Sequence, residues 1–129
     1  LQKSLGNFEE AAKSFDSLLP IVEKLLESNP ESPEARENAG VTYNNVGEVY
    51  SLNGEYEKSK QVFERALTIN EVLLDEEPDN PIYQINQAET FEKYAKLLAK
   101  LGRSEEAEDY STKSEEIYRK LAEEGNEDS

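Results

Sequence analysis

Residues 39–69, AGVTYNNVGEVYSLNGEYEKSKQVFERALTI, hold two runs of helical periodicity with almost nothing between them. In the first, Tyr43, Val46, Gly47 and Tyr50 recur every three or four residues and share one helix face. In the second, Tyr56, Ser59, Phe63, Ala66 and Leu67 do the same. Asn53-Gly54 separates them, and glycine readily takes the positive φ that closes a helix. So short a connection returns the chain on itself, and the two helices must pack antiparallel. Gly47, Ser59 and Ala66 are small enough to let the axes approach closely, with Tyr43, Tyr50, Tyr56 and Phe63 filling the space beside them.

The hairpin is one unit of a repeat. Gly6, Gly54 and Gly102 are evenly spaced, 48 residues apart. The same shift lays Phe8 on Tyr56, Phe15 on Phe63, Ile21 on Ile69 and Ile117, and Leu25 on Leu73 and Leu121. It also lays Ser32-Pro33 on Asn80-Pro81, each a polar cap followed by a first-turn proline. Turns, caps and core positions do not easily share a period by coincidence. Helices are expected at about 8–28, 33–52, 56–76, 81–101 and 104–124.

The details at the ends carry their own expectations. Residues 1–5 read as the last turn of an earlier helix, so that Leu1 is expected to be a boundary within a longer protein. Pro20 should kink the first full helix, because it removes a donor and clashes with the preceding turn. The stripe Phe15, Leu18, Leu19 and Val22 should then be only partly covered, which favours self-association through the N-terminal side. In the last helix, Ser111 and Ser114 stand where earlier helices have apolar or small residues, as a polar outer face of a terminal element would. Gly125-Asn126 can end that helix, leaving 125–129 as a polar tail of a single domain, 1–129.

The hairpin resembles the tetratricopeptide repeat, whose pattern is a large aromatic, Leu-Gly, Tyr, a turn glycine, then Ala, Phe and Ala. The matching residues are Tyr43, Val46-Gly47, Tyr50, Gly54, Ser59, Phe63 and Ala66. Glu71 stands where the family's closing proline is expected, and a repeat of ~34 residues is usual. The longer period therefore implies lengthened helices. The resemblance implies an all-α fold, a right-handed superhelical stack of antiparallel helix pairs with about five helices. It implies a scaffold that binds protein or peptide in a concave groove.

Composition narrows the alternatives. The formal charge of −15 disfavours nucleic acid and anionic membrane as partners. With no cysteine and no histidine, thiolate nucleophiles, zinc sites built on those residues and a Ser/His/Asp triad are all excluded. No enzyme activity and no cofactor are expected. The acidic run Asp75–Asn80 lacks the ligand spacing and glycine of a calcium-binding loop and reads as a solvated connection. No secretory signal segment is present, and a cytoplasmic setting is the expectation. Tyr110 and Tyr118 read as half-buried packing residues.

Carried over from the family, the groove positions are Val41, Asn44, Asn45, Glu48 and Ser51 on the second helix. On the fourth they are Glu89, Glu92, Lys93, Lys96 and Lys100, with Lys3 contributed from the first. Adjacent asparagines disfavour a helix, and their amides suit gripping an extended peptide backbone. Lys93, Lys96 and Lys100 form a basic face that could take an acidic segment, while Glu89→Lys93 and Glu92→Lys96 spacing equally supports an exposed helix. Some members of the family hold chaperone C-termini in a carboxylate clamp. Asn45 and Lys93 suit that clamp, but Glu89 reverses a required charge, so chaperone binding is not expected. The rival function is structural: packing on the rest of a longer array, or on a second copy.

Overall fold

Ser32-Pro33 and Asn80-Pro81 each open a helix, and Gly54 and Gly102 each close one. The computed structural model describes the backbone of residues 2–128 and the side chains of residues 7–125. Its five helices are α1 (Gln2–Ser28), α2 (Pro33–Leu52), α3 (Tyr56–Glu76), α4 (Pro81–Lys100) and α5 (Ser104–Asp128). Ser32 Oγ accepts from the Ala35 amide at 3.2 Å. Asn80 Oδ1 accepts from the amides of Ile82 and Tyr83 at 3.0 and 3.3 Å. Each side chain satisfies donors that the first helical turn leaves unpaired.

The helix ends after α2 and α4 are built alike. Gly54 has φ of 79° and Gly102 of 78°. The Glu55 amide reaches back to the Tyr50 carbonyl at 2.8 Å, and the Gly54 amide to Ser51 at 3.0 Å. Arg103 to Leu98 (2.9 Å) and Gly102 to Ala99 (3.1 Å) repeat the pair. This is the Schellman arrangement, in which a left-handed residue turns the chain while closing the last open carbonyls. Gly6 does not join the set. α1 runs straight through it from Gln2, so the expected separate turn of an earlier helix is replaced by one continuous helix. α1 also continues through Pro20, which lies on an exposed position.

α2 with α3 and α4 with α5 form the two tight hairpins, α3 and α4 pack between them, and α1 packs on α2. α2 also touches α4 directly, so these two form one layer and α1, α3 and α5 the other. The architecture is an all-α helical-repeat solenoid. Close approach in the first hairpin depends on Gly47, where an added Cβ would meet the Phe63 ring at 2.7–2.8 Å. Ser59 Oγ donates to the Gly47 carbonyl at 2.6 Å across the same contact. Tyr43, Val46, Tyr50, Val62 and Ala66 complete this core with Ala12 and Val22 of α1. Phe63 also carries it onward, packing with Tyr94, Leu97, Leu98 and Ala107. Tyr94 meets Phe63 at 6.1 Å between ring centroids and Tyr110 edge-on at 5.0 Å, geometries that aromatic quadrupoles favour.

Two sequence expectations change here, and a third holds for three of its four residues. Ser114 is not part of a polar outer face: it is buried and donates to the Ala88 carbonyl at 2.8 Å, joining α5 to α4. α5 continues past Gly125 to Asp128, so the tail at 125–129 is helical up to that residue. On α1, Phe15, Leu18 and Leu19 are partly covered as expected, packing against the first core, while Val22 is buried. Among the described residues of α1, the large apolar side chains left exposed are Ile21 and Leu25, each 56% exposed and one turn apart. The reason is helical phase: α1 turns its Phe15–Val22 side onto α2, leaving Ile21 and Leu25 at its edge.

Gly54 has open space around it, so a substitution there tests conformation alone. Gly54→Ala should cost about 1–2 kcal/mol, and Gly54→Asn less, because asparagine tolerates left-handed backbone better. Urea unfolding of the three proteins would give the order. Equal stability would rule out the positive φ.

Burial pushes the Tyr94 phenol up to about 12, with Glu64 adding a smaller push in the same direction. The ordinary value is ~10, so the fold favours the neutral phenol. Its contribution is complete below about pH 10 and is lost as pH rises toward about 12, an effect of roughly 2–3 kcal/mol. Tyr94→Phe should therefore recover part of the alkaline loss of stability in a series of urea titrations from pH 9 to 12.

Candidate functional site

The layer formed by α2 and α4 gathers the lysines. A cleft of about 400 Å³ lies between the C-terminal halves of these helices, lined by Glu48, Ser51, Leu52, Lys93, Lys96 and Lys100. Periodicity explains the grouping. Ser51 and Leu52 come three and four residues after Glu48 on α2, and the lysines recur at three- and four-residue steps on α4. The two parallel stripes then meet because α2 touches α4.

Internal contacts hold some of these groups. Lys93 Nζ stands 3.6 Å from Glu48 Oε1, and Lys100 Nζ donates to Ser51 Oγ at 3.2 Å. Lys96 reaches Glu92 at 3.8 Å along its own helix. Lys96 and Glu92 form an exposed ion pair, which contributes only about 0–1 kcal/mol, whereas Lys93 is more covered and Lys100 bonds a neutral hydroxyl. Set against one lining carboxylate, Glu48, the cleft is locally positive on an acidic chain.

The remaining expected residues distribute differently. Val41, Asn45 and Glu89 are exposed but do not line this cleft. Glu92 sits beside it through Lys96. Asn44 is only 5% exposed, and its Oδ1 is buried with no donor among the described residues. It is turned into the helix packing and does not offer its amide on an open groove. Asn44 and Asn45 are adjacent, and one residue along a helix is a rotation of about 100°, enough to separate buried from exposed. The Lys3 side chain lies outside the described residues.

Leu52 was not among the expected positions, although its 43% exposure gives the cleft an apolar wall. Its signal was present: a large aliphatic residue one turn after Glu48 and directly before the Asn53-Gly54 turn. A larger cavity lies elsewhere, about 610 Å³ between α1 and α3 over Tyr43. There Arg65 pairs with Glu23 and lies over the Tyr43 ring. Volume alone does not select it, because its one cation is already engaged on both sides.

Stacked helical hairpins sharing a continuous core, with one layer carrying a lined cleft, define an α-helical repeat protein. A family model described as Tetratricopeptide repeat matches residues 38–120, and the chain belongs to that family. No curated protein and no solved structure matches it. Tetratricopeptide repeats generally mediate protein–protein interaction. No helix among the described residues is long and apolar enough to cross a membrane.

Proposed function

We propose that this chain is a non-enzymatic scaffold that takes a peptide or protein segment along the α2–α4 layer, anchored in the lysine cleft. The observation that carries the reading is the convergence of Lys93, Lys96 and Lys100 beside Ser51 and Leu52. Three ammonium donors favour an acidic segment, Ser51 can donate or accept, and Leu52 offers contact to an aliphatic side chain. Asn45, Glu48, Glu89 and Glu92 extend the surface on either side. A partner's carboxylate would replace Glu48 at Lys93 or Glu92 at Lys96, exchanging one weak ion pair for another. Affinity would therefore come from several contacts together, and association would weaken with salt.

Acidic peptides of varied sequence, compared with amide-for-acid counterparts, would test this by calorimetry. Lys93→Ala with Lys100→Ala should lower affinity by about 0.5–1.5 kcal/mol per lost contact and leave the melting temperature nearly unchanged. Equal binding of acid and amide peptides would count against the reading. Asn45→Ala is a milder probe of the flanking surface and should not unfold the helix, since alanine has the better helix propensity.

A second reading is self-assembly, and Ile21 with Leu25 is the observation that favours it. The two side chains are neighbours on the α1 surface and lie uncovered. Sedimentation should show concentration-dependent association that Ile21→Glu with Leu25→Glu abolishes. A strict monomer at high concentration would remove this reading and leave the scaffold reading unaffected.

A further inference from the structure

The other layer carries the opposite chemistry. Between α3 and α5, with α4 as its base, lies a cavity of about 340 Å³. That is within the lower range of small-ligand sites. Phe91, Tyr94 and Tyr110 make its floor, with Phe91 and Tyr110 centroids 5.6 Å apart. Glu64 and Glu71 are exposed at its walls, and neither has an ion-pair partner among the described residues. Gln87 also lines it, is 5% exposed, and holds a buried Oε1 that meets no donor among the described residues.

Those features ask for one kind of group. A buried carbonyl oxygen recovers its desolvation cost only when an N–H or O–H reaches it. Carboxylates nearby favour a cationic donor, and aromatic faces attract the same charge. The chain itself supplies the precedent. Lys113 places its ammonium 4.8 Å from the Tyr110 centroid and 5.8 Å from that of Phe91. In the neighbouring furrow Arg65 lies over Tyr43 but is also tied to Glu23. Lys113 has no such carboxylate among the described residues, so the rings alone hold it and a better-matched cation can displace it.

We propose that the α3–α5 furrow is a second docking site, which takes an arginine side chain from a basic segment of a protein partner. A planar guanidinium can donate in its plane to Gln87 Oε1 and a carboxylate while its face lies on Phe91 or Tyr110. A lysine ammonium lacks that flat face. The net charge of −15 adds a general attraction for a basic segment. This site is independent of the lysine cleft, which selects the opposite charge on the opposite layer.

The probe is acetyl-Gly-Arg-Gly-amide, titrated into the ¹⁵N-labelled protein, with acetyl-Gly-citrulline-Gly-amide as the neutral isostere. Saturable shifts are expected at the Gln87 side-chain amide and the backbone of Phe91 and Tyr110, with the roughly millimolar affinity of a single side chain. The citrulline peptide should bind about fivefold more weakly or worse, and Glu71→Gln should weaken the arginine peptide about threefold. Lys113→Ala should tighten it. Gln87→Leu should abolish the shifts without lowering the melting temperature, since it removes the unpaired acceptor. Non-saturable shifts, equal response to both peptides, shifts centred on the α2–α4 cleft, or undiminished binding to Gln87→Leu would overturn the proposal. Should Gln87→Leu fail to fold, the exposed Glu71→Gln variant decides, and unchanged affinity there overturns it.

Discussion

The contact of Gly47 with the Phe63 ring sets the spacing on which the array depends. With no Cβ at Gly47, the aromatic ring lies against the α2 backbone at a distance that no other residue would allow. Ser59 uses the same closeness to bond the Gly47 carbonyl. Phe63 then has its far side available to Tyr94, so one residue closes the first hairpin and begins the second core. In the α4–α5 hairpin a different close contact appears, Ser114 on the Ala88 carbonyl. A hydroxyl that reaches a helix carbonyl needs the axes near one another, and in return it fixes the rotation of one helix on the next.

Holding helices this way separates the surface into two chemistries. Each helix buries one stripe, so its polar residues are confined to the remaining arc. On α4 that arc carries Lys93, Lys96 and Lys100 into the layer shared with α2. On α3 the arc carries Glu64 and Thr68, which border both furrows of the other layer. Opposite charges thus face away from one another across a domain only two helices thick. Polar pairs help keep the register: buried Asn70 Nδ2 donates to Thr90 Oγ1 at 3.2 Å, and the Tyr50 hydroxyl donates to Asp16, which is exposed. Burial, and then the bond to Asp16, push the Tyr50 phenol well above its usual range, so that hydroxyl stays a donor throughout the ordinary pH range.

Much of the fold was legible in residue order. Tyr43, Val46, Gly47 and Tyr50 announced the buried face of α2, and Ser32-Pro33 and Asn80-Pro81 marked two helix starts where the caps are found. Gly54 and Gly102 read correctly as turns because nothing follows them that could continue the helix in phase. Gly6 read identically and behaves differently. A glycine permits a left-handed turn without enforcing one, and α1 continues through it to the end of its apolar stripe. The site was less legible. Glu48, Ser51 and the three lysines were expected on a groove only through the resemblance to the family, and the fold brings them to one cleft. Asn44 is buried although its neighbour Asn45, the same residue type, is exposed.

What the sequence determined by itself was local: helix starts, helix ends, which arc of each helix is apolar, and the antiparallel return at short turns. These follow from backbone sterics, capping and period, which act over a few residues. Tertiary structure alone decided which arcs face one another. It brought Lys93 to Glu48, Lys100 to Ser51, and Gln87 to one cavity with Phe91 and Tyr110, its oxygen meeting no donor among the described residues. Those pairings depend on helix separation and relative rotation, quantities set jointly by residues such as Gly47, Phe63 and Ser114 on different helices. No periodicity within one helix encodes them.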